Sequence, residues 1–187
     1  MLFRSAENLD PDADVQYLQL GGVPEILGGM QAGAVVGGAF SPPTNVVARR
    51  LGYRVLGDLA QMGIEYQASC LTAMQGYVEA NPEVVRRFAR ALIEGIQVSL
   101  TDDAAMREAV AKYTRTDDLE SLDEAIAYYR TVVQRIPYPT LGGIQTILDD
   151  LAQTDPAART VPPQQMVNTA ALEQLDREGV FRQVYGE

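Results

Sequence analysis

The sequence feature that most constrains the fold is a stretch of seven residues without a polar side chain, residues 34–40. Gly33 precedes the stretch, and a proline-containing turn that begins at Ser41 follows it. A short, continuous apolar run between turn residues is typical of a strand that is buried on both faces, as in a parallel sheet. The stretch therefore predicts a parallel β-sheet that helices cover.

Further strands and helices are predicted on both sides of this run. Residues 14–20 alternate apolar and polar side chains, and residues 53–56 form a third short strand pattern. Between the strands, Pro24 and Pro42 each stand where a helix begins, because proline lacks an N–H and is tolerated in the first turn. The order strand–helix–strand–helix–strand favours parallel pairing with right-handed crossovers. The predicted fold class is α/β.

A change in the residue pattern divides the chain into three predicted segments. Residues 1–63 are expected to form an α/β ligand-binding lobe that is incomplete at its N-terminus, and residues 64–79 a crossover or hinge. Residues 80–187 are expected to form a mostly helical C-terminal region, which opens at the capping residue Asn81 and carries apolar stripes at helical spacing. Residues 1–9 predict the end of a helix.

Composition excludes several classes of function. The formal net charge is −10, and a strongly acidic surface disfavours binding to nucleic acid and to anionic membranes. The chain has no histidine and one cysteine, Cys70, which excludes an intramolecular disulfide, a cysteine–histidine zinc site and catalysis by a histidine base. Cys70 stands in an apolar stretch and is predicted to be buried. We expect a protein that is not an enzyme and that needs no cofactor and no metal.

Several short segments stand in a recognisable order along the chain. They cover residues 10–15, 18–22, 24–27, 31–34, 41–45, 66–68, 81–85, 138–140 and 143–145. Their order and spacing resemble the second lobe of the nitrate/sulfonate/taurine-type solute-binding proteins, the NMT1/THI5-like superfamily. The likeness spans nearly the whole chain. Such proteins normally begin with a secretion signal, a first lobe and the opening strand of the second lobe, and the resemblance implies that this chain corresponds to the part that follows them.

The resemblance implies a fold, a function and a location. The fold would be a periplasmic binding protein type II-like second lobe, a parallel βαβαβ sheet, followed by a mostly helical region. The function would be that of the substrate-binding component of an ABC importer, which captures a small organic solute between two lobes and delivers it to permease subunits. The location would be the periplasm. The first residues lack the basic segment and long apolar stretch of a secretory signal, which favours the cytoplasm if the chain is a complete gene product.

The predicted ligand site lies where the strands end. In open α/β sheets the ligand binds beyond the carboxyl ends of the strands, and two such ends lead into helix N-termini, which attract anions or carbonyl groups. The predicted ligand-binding residues are Gly21, Gly22, Ser41, Pro42, Thr44, Asn45, Tyr66 and Gln67. Each has a structural alternative: a tight turn for the glycines, an N-cap for Ser41, and wall packing for Tyr66 and Gln67. Because these segments hold no cationic cluster, a neutral or mildly polar organic ligand is favoured over a simple oxyanion.

Other functions and partners stay open at this stage. One is a ligand-sensing or interaction module without a transport role, and another is a relative of pyrimidine-precursor enzymes, whose reaction consumes a histidine that this chain lacks. A homodimer through the exposed sheet edge of the incomplete lobe is a further expectation. Arg86, Arg87 and Arg90 predict a solvated helix face, with contact to an importer subunit as the alternative. Tyr128 and Tyr129 predict core and rim positions.

Overall fold

The computed structural model describes residues 13–186, which form helices joined by turns and irregular segments. The α-helices, numbered in chain order, are α1 (Val23–Gln31), α2 (Thr44–Arg50), α3 (Gln75–Ala80), α4 (Pro82–Thr101), α5 (Asp103–Thr114), α6 (Leu119–Val132), α7 (Leu141–Leu151), α8 (Ala170–Arg177) and α9 (Val180–Tyr185). Short 3-10 helices cover Leu59–Gln61, Pro156–Thr160 and Pro163–Met166. The helix end predicted within residues 1–9 lies outside the described residues. In the described part of the chain, no helix has the length and apolar character needed to span a membrane.

The predicted parallel sheet is wrong, because residues 13–186 contain no β-strand. Residues 34–40 and 53–56, which were expected to be strands, form no backbone hydrogen bond with each other. At their first residues, the Ala34 N–H donates to the Gly29 carbonyl oxygen and the Tyr53 N–H donates to the Ala48 carbonyl oxygen, so each is bonded only to the helix before it. The α/β class and the βαβαβ lobe of a type II-like periplasmic binding protein are therefore overturned. The helices expected between the strands are present as α1 and α2.

Side-chain exposure and the lack of backbone pairing explain why residues 34–40 and 53–56 do not form strands. A strand is stable only when a neighbouring strand satisfies its N–H and C=O groups. The chain bends at Val36, whose side chain is fully exposed, and Leu56 of the other segment is 80% exposed. Gly37 and Gly38 weaken the longer run further, because glycine has no side chain to pack and loses more conformational freedom on ordering. Without burial or pairing, the apolar pattern alone does not form a sheet.

Most of the predicted helices are present, with shifts at their ends. The helix expected from Pro42 begins two residues later, at Thr44. The sequence pattern predicts a last helix over about residues 164–178 that stops at Gly179. In the structure residues 163–166 form a 3-10 helix, and α8 begins only at Ala170. Gly179 ends that helix as predicted, with a φ of +74° that favours glycine.

The described chain forms two compact units, neither of which is continuous in sequence. The first comprises the described residues up to Met62 together with Asp103–Val133, and the second comprises Gly63–Asp102 together with residues 134–186. The first unit therefore contains α1, α2, α5 and α6, and the second contains α3, α4 and α7 to α9. The three segments predicted from the sequence, 1–63, 64–79 and 80–187, were defined by expected roles: a ligand-binding lobe, a hinge and a helical region. That division stays a prediction.

The core of the first unit lies where α2 packs against α6. Its buried apolar residues in these helices are Val46, Ala48, Leu122, Ala125 and Ile126. At the rim, Arg49 forms a salt bridge with Glu124, and Arg50 forms one with Asp118. Exposed salt bridges contribute little free energy each, so burial of the apolar side chains is the main source of stability between these helices.

The core of the second unit is built by α4, α8 and α9. Its buried residues are Ala89, Ile93, Leu172, Leu175, Val180, Phe181 and Tyr185. Tyr138 packs its ring edge against Phe181, with ring centroids 6.4 Å apart and an interplanar angle of 85°. The Tyr185 hydroxyl donates a hydrogen bond to the Arg135 carbonyl oxygen. These contacts fasten the segment before α7 to the C-terminal helices.

Candidate functional site

An open pocket of about 420 Å³ lies in the first unit, beside the 3-10 helix Leu59–Gln61 and the last turns of α6. Its lining residues are Asp58, Ala60, Gln61, Ala127, Tyr128, Thr131 and Val132. The volume falls in the range that small-molecule sites occupy, roughly 300–1,000 Å³. The mixture of alanine and valine side chains with a carboxylate, an amide and two hydroxyls suits a small organic molecule.

Among the described residues, Asp58 is the one charged side chain that lines this pocket, and neighbouring residues of its own segment hold it in place. Its Oδ1 accepts a hydrogen bond from the Ala60 N–H at 3.1 Å, and its Oδ2 accepts one from the Gln61 Nε2 at 2.9 Å. Aspartate is a favoured N-cap because its carboxylate satisfies the free N–H groups of the first turn. The cap therefore fixes the orientation of the carboxylate without using all of its acceptor positions.

Tyr128 stands opposite this carboxylate in the wall of the pocket. Partial burial raises the pKa of its phenol, and the charge of Asp58 together with a hydrogen bond to that carboxylate raises it further. The phenol therefore stays protonated at neutral pH. Its oxygen lone pairs remain available as acceptors.

The last turns of α6 form one wall of the pocket, so the C-terminus of this helix lies at the pocket. The Thr131 hydroxyl donates a hydrogen bond to the Tyr128 carbonyl oxygen at 2.7 Å, so it is occupied within the helix. A helix C-terminus carries a partial negative charge. Arg130, the basic residue of the last turn, forms a salt bridge with Asp103 at 2.7 Å. The helix end and Asp58 together give the pocket a negative electrostatic potential.

Most of the polar groups of the pocket are hydrogen-bond acceptors. The carboxylate of Asp58, the carbonyl oxygen of the Gln61 side chain and the oxygen of Tyr128 all accept hydrogen bonds. A ligand that presents N–H or O–H groups would match them. Among the described lining residues, Asp58 has no second carboxylate beside it. Within residues 13–186 no three acidic or cysteine side chains cluster as a metal site.

Gly21 and Gly22, which were predicted to contact the ligand, lie before α1 in the same unit and do not line the pocket. Gly21 has a φ of +109°, a conformation that favours glycine. A Cβ atom on Gly22 would lie 2.8 Å from the Oε2 of Glu25, so this carboxylate lies directly beside the start of the helix. The chain therefore places its own anion at the N-terminus of α1, which disfavours an anionic ligand there.

The predicted group from Ser41 to Asn45 lies at the start of α2, also in the first unit and outside the pocket lining. The Ser41 carbonyl oxygen accepts a hydrogen bond from the Asn45 N–H at 3.3 Å, but no side chain caps the helix, so the capping role expected for Ser41 is wrong. The Pro42–Pro43 peptide bond is cis. Thr44 is the first helical residue, and the buried Oδ1 of Asn45 has no hydrogen-bond partner among the described residues.

Tyr66 and Gln67 belong to the second unit. Gln67 accepts a hydrogen bond from the Thr140 N–H and donates one to the Ser69 carbonyl oxygen, both at 3.0 Å. The amide oxygen therefore connects this segment to the start of α7, and the amide nitrogen stabilises the local turn towards Ser69. Tyr66 is about half exposed. The structure thus favours the structural alternative for Gln67, while a ligand contact of either residue stays a prediction.

The residues of the pocket were not predicted as site residues, and the sequence contains only a weak signal for them. Asp58 before a short turn has the pattern of a capping residue, and Tyr128 was expected at a core or rim position, where it is in fact half-buried. Their proximity depends on the packing of segments that are distant in the chain. Cys70, which was predicted to be buried, is exposed, because the apolar segment around it lies on the surface.

Protein-family models, curated proteins and solved structures were compared with this chain, and none of them matches it. The resemblance to nitrate/sulfonate/taurine-type solute-binding proteins therefore stays a prediction from the order of sequence segments. The chemistry of the pocket beside Asp58 is independent of that resemblance.

Proposed function

We propose that this protein is the substrate-binding component of an ABC importer and that the pocket beside Asp58 holds a small organic solute for delivery to the permease. The observation that carries the proposal is the open pocket in which Asp58 and Tyr128 present hydrogen-bond acceptors. The order of sequence segments supports the importer role. Closure of two sheet-based lobes is not part of the proposal, because the described chain has no sheet.

The solute is an uncharged or cationic organic molecule with N–H or O–H groups. Asp58 and the C-terminus of α6 attract hydrogen-bond donors and repel anions. The apolar side chains of Ala60, Ala127 and Val132 can cover the carbon skeleton of such a molecule. Nitrate and sulfate are disfavoured for the same electrostatic reason.

Binding is tested with a panel of small solutes on the whole chain, followed by thermal unfolding and titration calorimetry. The panel contains primary amines, amides, ureas and polyols, with nitrate and sulfate as anions for comparison. We expect stabilisation by members of the donor classes and none by the anions, because a ligand that binds only the folded state raises its stability. If only the anions stabilise the protein, or if no solute does, the proposal is wrong.

The substitution Asp58→Asn tests the site itself. Asparagine is also a good N-cap, so the fold is retained while the charge is lost, and we expect affinity for the bound solute to fall roughly ten-fold or more. The matched control is Asp117→Asn, which removes the same charge at an exposed position of the same unit away from the pocket lining. Equal affinities of the Asp58 variant and the control would contradict the assignment.

A ligand-sensing or interaction module without a transport role is the second candidate. The observation that favours it is the number of large apolar side chains on the surface of the irregular segments, among them Val36, Leu56 and Met74, since exposed apolar surface marks contact sites. Uptake of the radiolabelled solute by cells that lack the gene separates the two. Loss of uptake supports the importer component, and unchanged uptake of a solute that the protein binds supports the sensor.

A further inference from the structure

The helix α4 has two apolar faces, although a surface helix needs only one to pack against its core. The inner face includes Ala89, Ile93 and Ile96, which are buried. On the opposite side of the helix lies a second apolar stripe, the outer seam, which consists of Val84, Phe88, Ala91, Gly95 and Val98. All five residues of the outer seam are exposed in the structure.

The spacing of the outer seam is that of a helix-pairing interface. Successive members are 4, 3, 4 and 3 residues apart, which is the repeat that lines one side of each helix in a coiled coil. Phe88 is 58% exposed, and Val84 and Val98 are about half exposed. An exposed, contiguous apolar stripe on a 20-residue helix is a costly surface feature unless another molecule covers it.

The distribution of large and small residues along the outer seam suits an antiparallel partner of the same sequence. The large Phe88 lies in the N-terminal half of the seam, and the small Ala91 and Gly95 lie in its C-terminal half. When two copies of α4 run antiparallel about a two-fold axis, Phe88 of one copy faces Ala91 and Gly95 of the partner subunit. Small residues at the crossing allow the helices to approach closely, and the large residue fills the space beside them.

The charges beside the outer seam show the same complementarity. Arg87 and Glu94 flank the same edge of the seam, seven residues apart. In an antiparallel pair related by two-fold symmetry the same edge of both helices meets, so Arg87 lies beside Glu94 of the partner subunit and Glu94 beside Arg87 of the partner subunit. Glu94 accepts a hydrogen bond from Arg90 of its own helix through Oε1 at 2.8 Å, which leaves its other oxygen available. A parallel pair would not bring these opposite charges together.

We propose that α4 is a dimerisation helix and that two copies of this chain associate by antiparallel packing of the outer seam. A single helix pair buries less area than the roughly 1,200–2,000 Å² of a standard stable interface. The dimer is therefore weak and forms at high protein concentration. The inference does not rest on the proposed solute binding, and it replaces the homodimer expected from a sheet edge, which has no counterpart in the described chain.

Sedimentation equilibrium of the whole chain over a wide concentration range measures the association directly. We expect a monomer–dimer equilibrium for the natural sequence and a monomer for Phe88→Lys and for Val98→Lys, because each places a charge in the seam. The control is Tyr113→Lys, which changes an 80% exposed aromatic residue on α5, and it should dimerise like the natural sequence. Circular dichroism establishes that each variant is folded. A natural sequence that stays monomeric at every concentration, or seam variants that dimerise like the control, would overturn the proposal.

A charge exchange tests the antiparallel arrangement. Arg87→Glu and Glu94→Arg each turn two attractive contacts of the dimer into repulsive ones, so each should weaken the dimer roughly ten-fold. The double variant R87E/E94R restores opposite charges at both contacts and should recover most of the affinity. If the double variant is as weak as the single ones, the antiparallel arrangement is wrong.

Discussion

At the scale of single residues, the role of a polar side chain depends on how much of its hydrogen-bonding capacity the chain itself uses. The side-chain amide of Gln67 accepts a hydrogen bond from the Thr140 N–H and donates one to the Ser69 carbonyl oxygen. Its main role is therefore to connect its own segment to the residue before α7. Asp58 also accepts two hydrogen bonds from its own chain. A carboxylate has about four acceptor sites, so Asp58 can cap a turn and still bind a ligand.

Asp118 carries a prediction about the pH dependence of stability. The Ser121 hydroxyl, and then the charge and hydrogen bond of Arg50, lower the pKa of this carboxyl below its usual value. A carboxyl with a lowered pKa in the folded state stabilises the protein above its unfolded pKa, about 3.9, and this stabilisation is lost as the pH falls through the folded pKa. Urea unfolding at pH values from about 6 down to about 3 should show a smaller loss of unfolding free energy for Asp118→Asn. The neighbouring Asp117→Asn should keep the full loss; equal curves for both variants would contradict the role of Asp118.

At the scale of elements, helices were predicted well and strands were not. The stripe that includes Val85 and Ile96 after the capping position Asn81 correctly predicted α4, because the hydrogen bonds of a helix join residues four apart. The apolar run at residues 34–40 predicted a strand, but strand formation needs a partner that the run does not contain. Phe88 stands three residues after Val85, at the helical spacing of this stripe. In the structure it is 58% exposed and lies on the outer seam, not in the core.

Truncation of a buried side chain of α4 should lower the free energy of unfolding far more than truncation of an exposed apolar side chain elsewhere. Ile93 is fully buried among α8 and α9, so Ile93→Ala should lower the free energy of unfolding by about 2–5 kcal/mol through lost burial and a residual cavity. Leu119→Ala removes a side chain of similar size that is 67% exposed at the start of α6, and it should change stability by only about 0.5 kcal/mol. Urea denaturation of both variants measures the difference. Similar losses for both would contradict the core assigned to the second unit.

At the scale of the whole molecule, each compact unit is assembled from two separate stretches of chain. The chain passes from the first unit to the second at Met62, returns at Asp103 and leaves again after Val133. Each core therefore contains residues from both halves of the sequence: α2 packs with α6 in one unit, and α4 packs with α8 and α9 in the other. Neither core can form until distant segments meet.

This arrangement predicts the behaviour of fragments. A fragment of residues 1–102 contains α4 without Leu172 and Leu175, and α2 without Leu122. We expect this fragment to lack a cooperative unfolding transition by circular dichroism, because its apolar faces have no core to pack into. Mixing it with a fragment of residues 103–187 should restore helical signal and cooperativity. A fragment 1–102 that unfolds cooperatively by itself would show that at least one of the two cores forms without its partner helices from the second half of the chain.

The sequence by itself determined the positions of most helices, the end of α8 at Gly179 and the absence of histidine chemistry. These features depend on hydrogen bonds, caps and side-chain types that lie within a few residues of one another. Only the tertiary structure decided that residues 34–40 form no strand, that Asp58 and Tyr128 line one pocket, and that Phe88 faces outward. Pairing, pocket formation and burial depend on contacts between residues far apart in the chain, and a local pattern does not specify those contacts.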